Sequence, residues 1–538
     1  MDIHGENSFR AKSYSSAAFT IEKLPVQIVD TPREKLSSIK GIGEGTAAKI
    51  MELLDTGKIQ ALEQLLAKTP AGILEMMQIK GLGPKKIATI WKEMEIESIG
   101  ELLYACNENR LTLYKGFGAK TQANVQQAIE FFLHNKGHFL YAEVEELINT
   151  LSTQLQQALP GKKIELTGAA RRQSITLESI EWITTADADQ IRNLLTPALE
   201  IVSEEPGKIV LRNENQLTSI FYLVDEADFY SRHFILSGSA EFIDAFPALQ
   251  AQSYASEEEI FEKAGIPFIP PFLREQQAVI DRAKKGLPRL ISNDDIRGII
   301  HSHSRWSDGS NTLEEMVKEL ISRGKEYLVI SDHSRSAFYA NGLSEDRIRA
   351  QHAEIDELNA RYAPFRIFKS IESDILNDGS LDYPDKVLAS FDLVIASVHS
   401  NLKMPEEKAM ARLLKAIQNP YTRILGHMTG RLLLSRNGYP VDHRTIIDAC
   451  AQHNVVIELN AHPRRLDIDW SWIPYAMEKG VLLSVNPDAH SVEGFDDTRY
   501  GVLAGRKGLL TPEFNLSSFT REQMVNFVST PRAALQKM

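Results

Sequence analysis

Residues 298–309 read Gly298-Ile-Ile-His301-Ser-His303-Ser-Arg-Trp-Ser-Asp308-Gly309. A short apolar run ends in His-x-His, and a loop carrying an Asp follows. Six β-rich runs downstream repeat that plan: Tyr327–Ile330, Arg366–Lys369, Leu393–Ala396, Arg423–Leu425, Val455–Leu459 and Val481–Val485. Amphipathic stretches such as Thr312–Ser322 and Glu407–Gln418 separate them. This alternation predicts a parallel, barrel-like α/β domain from Asp295 onward.

In such a barrel the strand ends share one rim, where catalytic groups collect. The first strand ends in His301 and His303, with Asp308 in its loop, the second in Asp332-His333, and the third in Glu372-Ser-Asp374. The fourth and fifth end in His399 and His427, the sixth in Glu458-Leu-Asn460, and the seventh in Asp488-Ala-His490. Any one of these could be a satisfied core histidine or a helix cap. Six His at five strand ends, in a chain with 14, point instead to a metal cluster. Imidazole and carboxylate without thiolate suit Mn²⁺, Zn²⁺ or Fe²⁺. The groups exceed what one ion needs, so two or three divalent ions are expected, Mn²⁺ foremost.

Upstream, a repeat occurs three times: Lys40-Gly41-Ile42-Gly43, Lys80-Gly81-Leu82-Gly83 and Lys115-Gly116-Phe117-Gly118. Gly-x-Gly between helices makes a tight turn and leaves backbone N–H groups free at the next helix start, a geometry that suits phosphate. One copy would read as a plain turn. Three copies read as helix-hairpin-helix contacts to a DNA backbone through Gly41, Gly43, Gly81, Gly83, Gly116 and Gly118. Residues 141–247 mix helices with β-rich runs at Lys163–Leu166, Ile180–Thr184, Ile209–Arg212 and Ser219–Val224, a small α+β domain. The Pro-rich run at 266–271 places an extended linker over 248–294.

The 538 residues are 43% hydrophobic with a net charge of −12, which excludes a disordered chain and one overall polyanion-coating surface. Two cysteines cannot build a disulfide framework, no run of about 20 apolar residues would span a bilayer, and the N-terminus lacks a signal-peptide core. The expected setting is the cytoplasm, with no membrane and no stable protein partner.

The motifs His301-x-His303 with Ser307-Asp308-Gly309, Ser331-Asp332-His333, Glu372, Ser397-Val-His399, Gly426-His427 and Asp488-x-His490 resemble the polymerase-and-histidinol-phosphatase (PHP) family. That resemblance implies a distorted seven-stranded barrel with a trinuclear cluster that hydrolyses phosphoesters. One ion would be held by His301, His303, Glu372 and Asp488, and a second by Glu372, His399 and His427. The third would use Asp308, His333 and His490. Glu372 would bridge two ions, and Asp374 would matter much less. Glu372 and Asp488 are thus catalytic candidates. Arg335, Arg431 and Arg465 lie just past the strand ends, either as phosphate clamps or as rim residues; Arg431 is taken as the catalytic one.

Residues 1–247 resemble the lyase, fingers, palm and thumb of a bacterial family X DNA polymerase with a C-terminal PHP domain. The resemblance rests on Gly5-Glu-Asn-x-Phe9, the three repeats, Gly168-Ala-Ala-Arg-Arg172 and Ser237-Gly-Ser239. It implies lyase-like (1–70), fingers (71–140), palm/thumb (141–247) and PHP (295–538) segments. Much of the first lyase helix is expected to be missing. Lys49 aligns with the family's Schiff-base lysine, or is a solvated helix lysine. The three palm carboxylates of the family fall on Ser179, Glu181 and Ile220. Ser is a weak ligand and Ile none, so nucleotidyl transfer is expected to be lost. The implied function is a metal-dependent 3′-5′ exonuclease, with abasic-site endonuclease activity as a further option, on gapped, nicked or 3′-ended DNA. A histidinol-phosphatase-like phosphomonoesterase and a non-catalytic DNA-end binder stay open.

Overall fold

In the computed structural model, which describes residues 1–6, 8–22, 24, 27–107, 110–194, 199–249 and 252–535, the three glycine repeats share one backbone. Gly41, Gly81 and Gly116 take φ of +100°, +93° and +93°, a region open to glycine. Gly43, Gly83 and Gly118 follow in extended conformation. They cap the helices Glu44–Thr56, Pro84–Lys92 and Ala119–Asn135 without any side-chain hydrogen bond. The residue between each glycine pair (Ile42, Leu82 or Phe117) is buried and anchors its turn. These repeats belong to a helical unit of residues 1–136; residues 137–538 form a second. A 15-residue helix, Ser8–Glu22, precedes the first repeat. Asn7 of the Gly5–Phe9 motif lies outside the described residues. Among the described residues no helix is long and apolar enough to cross a membrane.

The second unit begins with a five-stranded sheet: β1 (Ile164–Thr167), β2 (Ser179–Thr184), β3 (Leu199–Glu205), β4 (Lys208–Asn213) and β5 (Thr218–Leu223), in spatial order β1-β2-β5-β4-β3. β2 and β5 run parallel with Glu181 opposite Ile220. Sequence reading missed β3, an edge strand whose Ile201 and Val202 are exposed among glutamates.

The described residues of 248–294 are not a free linker, although the Pro-rich run itself is extended, with Pro270 at φ −57° and ψ 147°. Helices Glu257–Ala264 and Ala278–Lys284 flank the Pro-rich run, and Ile266, Ile269 and Leu273 share a core with Phe234, Phe242 and Phe261. Arg274, fully buried, sits over three aromatic rings and donates to Glu257 (2.8 Å), which also pairs with Arg171 (2.5 Å). Burial alone would raise the Glu257 carboxyl, but the Arg171 hydrogen bond and the charges of Arg274 and Arg171 hold it at about 2. Burial also lowers the neighbouring His233 to about 4. Glu257→Gln is expected to cost about 3 kcal/mol, because it leaves Arg274 buried without its counter-charge. In the native chain the stabilisation from Glu257 is complete above its ordinary value of 4.5 and is lost as pH falls towards 2. His233 adds a loss between 6.5 and 4, since only the unfolded chain takes up its proton there. Urea melts at pH 7 and pH 4 check both, and equal stability at the two pH values would contradict this account.

The barrel consists of seven parallel strands in sequential order: β6 (Gly298–Ile300), β7 (Tyr327–Ile330), β8 (Arg366–Asp374), β9 (Leu393–Ser397), β10 (Thr422–Leu425), β11 (Val456–Asn460) and β12 (Leu483–Asn486). It nearly closes through a bridge between Ser302 and Ala489, where His303 N–H donates to the Ala489 carbonyl (2.8 Å). Inside, Ile300, Val329, Phe368, Ile395 and Val456 pack on Met524 and Phe527 of the helix Arg521–Ser529, which plugs the base. The palm-like segment docks on the barrel wall through Lys507. Buried, it donates to the carbonyls of Arg172 (2.7 Å) and Phe272 (3.3 Å) and to Glu275 (2.8 Å). A barrel cut free at Asp295 would strand that ammonium.

Candidate metal centre

Strand alternation carries the interior from apolar base to polar rim. Phe368 faces inward, so Ser370, Glu372 and Asp374 do too. By the same step Val329 leads to Ser331 and His333, Ile395 to Ser397 and His399, and Val456 to Glu458 and Asn460. His301 breaks the rule, because Ile300 already faces inward. A left-handed backbone at His301 (φ 61°) turns the chain, and Asp488 on the opposite strand end is left-handed as well (φ 53°). Such non-glycine conformations cost about 1–3 kcal/mol each and persist where surrounding structure enforces them. At Gly309 a Cβ would stand 2.2 Å from the His303 carbonyl, so glycine lets the loop fold back and bring Asp308 in.

Glu372 sits at the centre. Its Oε1 lies 3.0 Å from His427, 3.1 Å from His399 and 3.3 Å from His301; its Oε2 lies 2.9 Å from His333 and 3.8 Å from His303. Three groupings could hold an ion: His301, His303 and Asp488; His333, Glu372 and His399; and His303, Asp308, His333 and His490. Eight of the nine expected ligands fall in these groupings; His427 falls in none and reaches the rim beside Glu372. His303 and His333 fall in two groupings each and Glu372 in one, so both the division among ions and the two-ion role of Glu372 differ from what the resemblance implies.

The donor chemistry fits divalent cations. Buried His301 Nε2, His303 Nδ1, His333 Nδ1, His427 Nδ1 and Glu372 Oε2 have no hydrogen-bond partner. Each such orphan costs about 1–3 kcal/mol unless a ligand satisfies it. Protons and carboxylates compensate only in part. Burial disfavours a charged His399, but Glu372 and a hydrogen bond to Asp374 raise it to about 10. Burial disfavours a charged His301 too, yet Glu458, Asp488 and Glu372 hold it well above the ordinary imidazole value. Against the pull of burial, His399, His301 and His333 hold Glu372 well below the carboxylate range.

Sequence reasoning missed the supports. Glu458, fully buried, accepts His301 Nδ1 (2.5 Å) and the backbone N–H of His427 (2.7 Å). Asp374 accepts His399 Nδ1 (2.5 Å) and the Ser336 hydroxyl (2.8 Å). These bonds fix which ring nitrogen faces the cluster. The inward alternation of Phe368, Glu372 and Asp374 was the available signal. Asp374→Asn is therefore expected to lower Mn²⁺ affinity about 10–100-fold, and not to be mild. A Mn²⁺ titration with unchanged affinity would contradict that. Asp332 faces outward and instead ties Ser304, Ser307 and Gln351 together.

Arg431 does not face the ligands. It donates to Asp469 (2.8 Å) and to the carbonyls of Arg465 and Leu466, bracing the loop that carries Arg465. Arg465 comes to 3.4 Å from Asp488, while Arg335 lies at 3.8 Å from Asp382, half exposed. In the first unit, Lys49 pairs with Glu52 (2.5 Å), which leaves its ammonium engaged. At the palm, Glu181 is the one carboxylate among the three aligned positions, and Ser179 (3.5 Å) and Tyr222 (3.1 Å) donate to it.

Residues 1–59 match a helix-hairpin-helix domain and residues 73–130 a SAM-like helix-hairpin-helix tandem. The C-terminal part is similar to proteins named probable phosphatase. One, from Caldanaerobacter subterraneus subsp. tengcongensis, is 27% identical over 207 residues (35% of this chain, 74% of that protein). Another, from Clostridium acetobutylicum, is 29% identical over 166 residues (30% of this chain, 63% of that protein). A Bacillus subtilis protein named DNA polymerase/3'-5' exonuclease PolX is 33% identical over 533 residues, 94% of this chain and 93% of its own length. With paired hairpin domains ahead of the barrel and similarity running through both, the chain belongs to the bacterial family X DNA polymerases that carry a C-terminal PHP domain.

Proposed function

We propose that the protein is a divalent-metal-dependent DNA phosphodiesterase, a 3′-5′ exonuclease that no longer polymerises. One observation carries the reading: eight imidazole and carboxylate groups form three ion-sized groupings on one rim, where five buried nitrogen and oxygen atoms lack hydrogen-bond partners. Two or three ions there, Mn²⁺ foremost, would activate water and neutralise phosphate oxygens. Of the chain's own groups, Glu372 draws the imidazoles together, and Glu458 and Asp374 hold His301 and His399 in register. Arg465 is the cation placed to meet the phosphate, taking the role first assigned to Arg431.

The first unit supports a DNA substrate. At Gly43, Gly83 and Gly118 the backbone is ordinary and an added Cβ would meet nothing within 4 Å. Folding does not demand glycine there, whereas a phosphate seated on the helix N–H groups would. Alanine at all three should leave the first unit folded, at a modest cost in melting temperature because alanine caps helices less well than glycine, weaken duplex binding about tenfold or more, and flatten its salt dependence. Unchanged affinity would remove these turns from the interface.

Similarity to the phosphatases favours a second reading, phosphomonoester hydrolysis. Comparing kcat/KM for a single-stranded oligonucleotide and for p-nitrophenyl phosphate in one preparation separates the two. The diesterase reading expects DNA to be preferred; the reverse order would overturn it.

A further inference from the structure

The loop after β7 presents two large aromatic side chains to solvent beside the metal ligands. Phe338 is 86% exposed and Tyr339 65%. Their rings meet edge to face at 6.1 Å, and Tyr339 lies 6.4 Å from the ring of His333. Both line a cleft of about 530 Å³ that also reaches Ser336, Asp374, Asn377 and His399.

The loop beneath them is pinned. Ser336 N–H donates to Asp382 (2.6 Å) and Arg335 N–H to the Tyr383 hydroxyl (3.0 Å), which itself donates to the Leu343 carbonyl (2.5 Å). At Gly342 a Cβ would stand 1.9 Å from the Ser334 carbonyl, so the return of the loop is tight. The same segment donates from Ser336 to Asp374, the carboxylate that orients His399. Rigid backbone with free aromatic faces is a preorganised stacking surface.

We infer that Phe338, the more exposed ring, stacks on the unpaired base of the nucleotide being removed while Tyr339, nearly perpendicular to it, meets the edge of that base, so that its phosphate is presented to the metal centre. This deepens the exonuclease reading and rests on it. A nucleobase suits the cleft better than a protein partner does. Besides the aromatic pair, Leu376 is the one apolar residue among the described residues lining the cleft, too little for an interface core, whereas every base offers a flat face to an aromatic ring. The platform reads the base without reading its identity. It selects for the presence of a base at the strand end.

The test compares two single strands that differ only at the 3′ residue, a normal nucleotide or a base-less tetrahydrofuran analogue, with full-length protein and Mn²⁺. The wild type should favour the base-bearing end about 10–100-fold in kcat/KM, chiefly through KM. In Phe338→Ala/Tyr339→Ala that ratio should collapse towards one, and Phe338→Trp should restore or raise it. A merely structural defect would lower both substrates and leave the ratio intact. Equal wild-type rates on the two ends, or a ratio that survives the double substitution, would overturn the platform while leaving the exonuclease reading in place. Failure of the wild type on both ends would overturn that reading and the platform with it.

Discussion

Glu372→Gln is expected to lower kcat/KM on DNA by at least about 10³, roughly 4 kcal/mol of transition-state stabilisation, and to empty the centre of metal. Five imidazoles lie within 3.8 Å of this carboxylate, and they hold it ionised against complete burial. An amide keeps the shape but removes the charge that draws cations and imidazoles together. It also turns an acceptor oxygen into an NH₂ aimed at ring nitrogens that need to bind metal. Metal content by mass spectrometry, taken with the rate, decides the matter. Full occupancy in the variant would remove Glu372 from the ligand set, and near-normal hydrolysis would move the chemistry elsewhere.

No templated nucleotide addition is expected on primed or gapped DNA with either Mg²⁺ or Mn²⁺. The register of β2 and β5 sets Ser179, Glu181 and Ile220 side by side, so one carboxylate stands where two-metal transfer needs three. That carboxylate is raised by burial and takes hydrogen bonds from Tyr222 and Ser179. The cations that follow Gly168-Ala-Ala are engaged too: Arg171 by Glu257 and Ser237, Arg172 by Glu275. Primer extension resolved to single nucleotides is the check. Incorporation that disappears with Glu181→Gln would show that the palm still works.

The barrel and its ligands were legible because strand periodicity is local. Each apolar run announces a strand, and the polar residues that continue its inward alternation announce the rim, as from Val329 to His333 or Ile395 to His399. What joins distant segments was not legible. Alternation turns Glu458 inward and Asp332 outward, but nothing local shows that Glu458 meets His301, 157 residues away. Arg431 and Arg465 have similar sequence settings, and only the fold shows that the first braces the loop of the second. Proline content points to an extended connector at 266–271, but Phe261, Ile269 and Arg274 are buried and pack it against the palm-like segment.

The central claim is that this metal rim removes nucleotides from a DNA 3′ end. The most direct measurement follows a 5′-end-labelled single strand with the full-length protein and Mn²⁺, with products separated at single-nucleotide resolution. The account predicts a ladder that shortens one nucleotide at a time while the label stays on the long fragment, and that EDTA abolishes. Internal cuts, label released as a mononucleotide, or an intact strand that loses only a terminal phosphate would contradict it.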